Sequence, residues 1–128
     1  MQNLKMRSAA TAGLYDLTML EEMDDHEYVL EVLAALLHEM PGDFEEMQLA
    51  LLAGNTDIVC KKAHKLKSSA GVIQAEKLTM LLGDIEAIGK KRGICDELIS
   101  LVENAARESN HIEKSLKIYM EGLNKKIA

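Results

Sequence analysis

The sequence has 128 residues, enough for one domain, and its 15 basic against 21 acidic residues leave a formal net charge of −6. That sign argues against a general binder of nucleic acid or of anionic membranes, while 48% apolar residues argue against wholesale disorder. With eight Met, one Phe, no Trp and a single Pro, the composition favours helices over a sandwich or barrel, which need β-branched and aromatic strands with frequent turn signals.

Residues 1–13 are small and polar without periodicity and are expected to form a flexible lead-in to one domain over 14–128. Thr18, with Glu21 three residues later, predicts a capping box that opens a short helix to about Met23. Asp24 or Asp25 is placed to cap the next helix, whose apolar stripe runs Val29, Leu33, Leu36, Met40, Phe44, Met47, Leu51. The stripe keeps its phase across Pro41, which favours continuation of one helix over a restart capped by Asp43. Gly54-Asn55 ends that segment.

A third segment, over about 56–72, carries Val59, Ala63, Leu66, Ala70 and Ile73 on one face. A fourth, over about 75–91, turns Leu78, Leu81, Ile85 and Ile88 inward and ends near Gly93. The last, over about 94–123, carries Leu98, Leu101, Ala105, Ile112, Leu116, Tyr119 and Leu123. Short connections force neighbouring helices to run antiparallel, and four single-faced helices close most simply into an up-down bundle. The expectation is an all-α, antiparallel four-helix bundle with a short extra N-terminal helix. Met19, Met23, Met40, Met47 and Met80 are read as core filler. Cys60 and Cys95 are read as small buried hydrophobes rather than a disulfide framework. No apolar run approaches the roughly 18 residues of a membrane span and the N-terminus lacks a signal-peptide core, so a soluble, cytoplasmic protein is expected, and a monomer if the four helices close their own core.

The charge balance inverts in one place. Lys61-Lys62-Ala63-His64-Lys65-Leu66-Lys67 holds four of the 15 basic residues and no acid. At about 100° per residue the buried stripe centres about 140° from His64, so the imidazole faces solvent or the rim. Lys61, Ser68 and Gly71 fall within about 60° of it, Lys67 about 60° to the other side and Lys65 about 100° off. Small residues one and two turns after an exposed imidazole allow close approach, and the cations suit an anionic group. Imidazole serves as a nucleophile in covalent intermediates, and phosphoryl transfer needs mostly positioning and charge stabilisation. The competing reading is a solvated basic face with no chemistry. Cys60 and His64 form an i,i+4 pair able to share a metal, but two ligands among lysines are a weak signal, and no metal or other cofactor is expected. No nucleotide cradle and no common hydrolase motif is present.

The run Ala63-His64-Lys65-Leu66-Lys67-Ser68-Ser69-Ala70-Gly71, followed by Ala75-Glu76-Lys77-Leu78, resembles the signature of histidine-containing phosphotransfer (HPt) domains. The resemblance extends to Leu17 through Met23 as a short first helix, to Ala53-Gly54-Asn55-Thr56-Asp57 as the turn before the histidine helix, and to Ile85-Glu86 through Gly93. It implies a four-helix bundle that carries a phosphoryl group on one histidine between aspartates of receiver domains of response regulators and hybrid histidine kinases, without a kinase or ATP site of its own. On that resemblance His64 is the phosphoacceptor and Lys67 the lysine that steadies the phosphoryl oxygens. Ser68 stands where the family prefers glycine, and Gln74 replaces its second glycine. Glu86 matches an acidic family position and is expected to reach His64 Nδ1–H or the neighbouring lysines, with an ion pair to Lys90 as the alternative. Lys61 and Lys65 are expected to steer an acidic partner, with Ile58 and Val72 as apolar docking surface. Two rival functions follow from the same residues: a module that binds receivers without turnover, and a metal- or haem-binding bundle using Cys60, His64 or a Met.

Overall fold

The computed structural model describes residues 13–127, with the Ile127 side chain excepted; nearly all of the expected lead-in therefore lies outside the described residues. Five helices and no strand occur among the described residues: α1 (Thr18–Glu21), α2 (His26–Leu52), α3 (Thr56–Val72), α4 (Glu76–Arg92) and α5 (Asp96–Ile127). Helix α2 packs on α3, α3 on α4, α4 on α5, and α5 back on α2, so the four long helices close an up-down antiparallel bundle. No helix among the described residues is long and apolar enough to cross a membrane.

Local signals explain where the helices start. The Asp25 carboxylate accepts the Tyr28 amide at 3.0 Å, and Asn55 accepts the Ile58 amide at 3.2 Å, each satisfying a donor that the helix leaves free. The Thr18–Glu21 capping box does not form, because Leu17 occupies the cap position. Asp16 takes its place, accepting the Thr18 amide at 2.9 Å and the Thr18 hydroxyl at 2.6 Å. Those two bonds hold the Asp16 carboxyl below its ordinary range.

Helix α2 runs unbroken through Pro41, which lies on its exposed side, while Met40, Phe44 and Met47 stay buried on the other. It ends in a Schellman motif: Gly54, with φ 73°, donates to Leu51 O at 3.2 Å and Asn55 to Ala50 O at 2.8 Å. Helix α3 ends the same way without a glycine. Gln74 adopts φ 50°, donates to Gly71 O at 3.1 Å, and Ala75 donates to Ala70 O at 3.0 Å.

The core is one continuous cluster in which Leu33, Met47, Leu66, Ile73, Leu78, Leu82, Ile85, Leu98, Ile112 and Leu116 are removed from water. Burying each such Leu or Ile contributes roughly 1.5–3 kcal/mol. Three phase readings shift by one residue. Leu82 and Gly89 are buried where Leu81 and Ile88 were expected, Val102 where Leu101 was, and Ala50 where Leu51 was. The displaced side chains lie half-buried at the flanks, because each helix rotates to face two neighbours at once rather than one. Of the methionines read as core filler, only Met40 and Met47 are buried; Met19, Met23 and Met80 are exposed. Cys60 is buried and Cys95 half-buried, both free.

The N-terminal segment closes the end of the bundle opposite the α2–α3 turn. Tyr15 and Leu17 are buried, the Tyr15 hydroxyl shares a 2.6 Å hydrogen bond with Ser115, and the Asp16 amide donates to Ile73 O at 2.9 Å.

Candidate functional site

Helix α3 turns Val59, Ala63, Leu66 and Ala70 into the core, and that phase carries His64 to the outside, where its side chain is 65% exposed. Packing of α3 against α4 is close because α4 presents glycines at two contact levels. A Cβ on Gly89 would stand 2.7 Å from Cys60 Sγ, and one on Gly83 would stand 3.9 Å from Cδ of Lys67. The Cys60 thiol lies 3.8 Å from the Glu86 carbonyl, and burial pushes its pKa up, so it behaves as a packing group.

This antiparallel register sets Glu86 of α4 directly beside His64. Glu86 Oε2 lies 3.1 Å from His64 Nδ1 and Oε1 lies 3.4 Å from it. The same carboxylate accepts from Lys67 Nζ at Oε1 (3.0 Å) and from Lys90 Nζ at Oε2 (3.1 Å). The Lys67 hydrogen bond first, the Lys90 bond second and the His64 bond to a smaller extent lower the Glu86 carboxyl from 4.5 to about 2. An ionised carboxylate only accepts, so the ring nitrogen facing it carries the proton. That leaves Nε2 with its lone pair, and no described residue hydrogen-bonds it.

The expected site residues divide into two groups. His64, Lys67 and Glu86 come together, and Glu86 makes both of the contacts set out for it as well as the i,i+4 pair with Lys90. Ser68 lies one turn on, exposed, its hydroxyl 3.5 Å from the His64 carbonyl, and Gly71 is exposed with nothing within 4 Å of a Cβ built on it. Lys65 turns the other way. Its ammonium and that of Lys62 meet the buried carboxylate of Asp43 on α2, at 3.1–3.2 Å for Lys65 and 3.1 Å for Lys62, and Lys62 also pairs with Glu46. Lys61 is exposed and makes no ion pair with a described residue. The basic run is thus split: two lysines neutralised against α2, one drawn to Glu86 and one open to solvent. Val72 is exposed, whereas Ile58 packs against the core.

Lys90, Asp43 and Gly83 were not singled out by the sequence. Lys90 was visible only as an i+4 partner of Glu86, and Asp43 only as a helix cap. Asp43 and Gly83 act through contacts between helices that no local spacing encodes, whereas Lys90 meets Glu86 within α4 and reaches the imidazole only because Glu86 does.

Among the described residues no group of three or more His, Cys, Asp or Glu is placed to hold a metal ion. The Hpt domain family matches residues 31–116, about two thirds of the chain, which takes in most of α2, all of α3 and α4, and most of α5. The chain belongs to the Hpt domain family. Hpt domains are phosphotransfer modules rather than kinases, pass phosphoryl groups through histidine in phosphorelays and meet receiver domains in doing so. No curated protein and no solved structure gives a significant match. The helical bundle expected from the resemblance is the architecture found; α1, the start of α2 and the end of α5 lie outside the matched residues.

Proposed function

We propose that this Hpt domain is a phosphorelay intermediate that accepts a phosphoryl group on His64 from a receiver-domain aspartate and passes it to a second receiver. The observation that carries the reading is the exposed imidazole whose Nδ1 is held by Glu86 while Nε2 stays open. In the forward step the Nε2 lone pair attacks phosphorus in line. The bond from phosphorus to the aspartyl oxygen breaks, and the receiver carboxylate leaves with the electron pair. The Nδ1 proton remains on the ring, and the Glu86 carboxylate offsets the positive charge that the ring acquires. Lys67 Nζ, at 3.0 Å from Glu86 Oε1 on the carboxylate that faces the imidazole, is assigned to steady the phosphoryl oxygens. The reverse sequence delivers the group to the next receiver. Lys61 is the lysine of the run that makes no ion pair with a described residue and is assigned to steer an acidic partner, and Val72 supplies exposed apolar surface on the same helix.

Incubation with a phosphorylated receiver domain tests the assignment. Acid-labile, alkali-stable label is expected on the wild-type protein and absent from His64→Gln; label that persists on the variant would show that another residue accepts the group.

A further inference from the structure

Glu86 is more than half of a surface ion pair. Its side chain is 13% exposed, it receives three donors, and two of them, Lys90 Nζ and His64 Nδ1, share the single oxygen Oε2 at 3.1 Å each. An ordinary exposed i,i+4 pair has a carboxylate free to turn to water. Here the carboxylate is committed to the imidazole, so any charge on Oε2 is felt at the ring. The other charged groups around the ring are accounted for. From α3, Lys67 bonds Oε1, Lys65 is bound to Asp43, and Lys61 and Asp57 lie exposed on the preceding turns. From α4, Arg92 is paired with Glu97. Lys90 is the cation on the nearer of the two oxygens that face Nδ1, Oε2 at 3.1 Å, while Lys67 holds Oε1 at 3.4 Å from the ring nitrogen.

We propose, on the reading that His64 carries the phosphoryl group, that Lys90 is a positioning residue that lengthens the life of the phosphohistidine. Hydrolysis of that group proceeds by attack of water on phosphorus. The P–N bond breaks, its electron pair returns to Nε2, and phosphate leaves with the water oxygen. The ring departs easily as neutral imidazole when Nδ1 is protonated and poorly as imidazolate when it is not. Glu86 favours the protonated ring. Lys90, by drawing on the same oxygen, limits that pull. It also keeps Oε2 in place when Lys67 leaves Oε1 for the phosphoryl oxygens, so the ring orientation survives the loading step.

The experiment loads the protein from a phosphorylated receiver, removes the receiver, and follows loss of label from pH 5 to 9. Lys90→Met is expected to lose the group about threefold faster at neutral pH, with its pH profile displaced upward by about half a unit, the effect of one unit charge roughly 6 Å away at a wet surface. Lys90→Arg, which keeps the charge, is expected to follow wild type, as is Lys91→Met, which removes an exposed charge outside the cluster. Unchanged lifetime and profile in Lys90→Met would overturn the proposal, and so would an equal change in Lys91→Met. Absence of label on the wild-type protein would remove the phosphotransfer reading and this one with it; label with an unaltered lifetime in Lys90→Met removes this one alone.

Discussion

The thiol of Cys60 stands where a side chain at Gly89 would begin, 2.7 Å from the position of a Cβ built there. The two residues lie at the level of Glu86, whose carbonyl the thiol also faces, so the α3–α4 spacing at His64 is set by an atom-sized gap. Gly89→Ala is therefore expected to overpack the contact and to destabilise the fold by about 1–3 kcal/mol, beyond any gain in helix propensity. Cys60→Ala in the same chain is expected to recover most of the loss. Urea unfolding of the single and double variants measures the coupling, and additive effects would show that the contact is not shared.

Gln74 occupies the left-handed position of the Schellman motif that ends α3, at φ 50°. Glycine reaches that conformation without strain from a Cβ. Gln74→Gly is expected to raise stability by about 0.5–1 kcal/mol, and Gln74→Val to lower it by about 1–2 kcal/mol. Thermal unfolding of both variants checks the sign. A departure from the family glycine thus lowers stability without changing the turn.

The Glu86 carboxyl is held at about 2 in the fold, below its ordinary 4.5, so folding favours its ionised form. The stabilisation this provides is fully present above pH 4.5 and is lost as the pH falls from there to about 2. In Glu86→Gln the stability difference from wild type is expected to be constant between neutral pH and about 5, and to shrink across that acid window. Chemical denaturation at stepped pH follows it, and identical pH curves for the two proteins would contradict the assignment. The same variant is expected to lose the fixed ring tautomer and to load phosphoryl groups at least tenfold more slowly, by about 1.4 kcal/mol or more in barrier height.

Asp43 is buried and accepts from both Lys62 and Lys65, whereas Glu46 is 59% exposed. Asp43→Ala is expected to cost about 1 kcal/mol, since the two lysines turn to solvent once released, and Glu46→Ala less than about 0.5 kcal/mol. Stability in low and high salt separates the two, with the Glu46 contribution screened first.

Much of the architecture follows from spacing alone. The interval of three and four residues from Val59 to Ile73 sets which side of α3 is buried, and the opposite side must then carry His64 outward, because side-chain direction along a helix is fixed by its pitch. The phase of Met40, Phe44 and Met47 likewise carries α2 through Pro41. Such features are local, and local periodicity is what a sequence encodes directly. The contacts around His64 are of another kind. That Glu86, already paired with Lys90 one turn on, reaches Nδ1, and that Lys62 and Lys65 turn to Asp43, depend on the rotation and axial register of one helix against two others. Those are set by how side chains of several helices fill one core, with Gly89 and Cys60 defining the closest approach. The basic run at 61–67 and its net excess of charge were legible in the chain; which of those charges remains at the imidazole was decided only by packing.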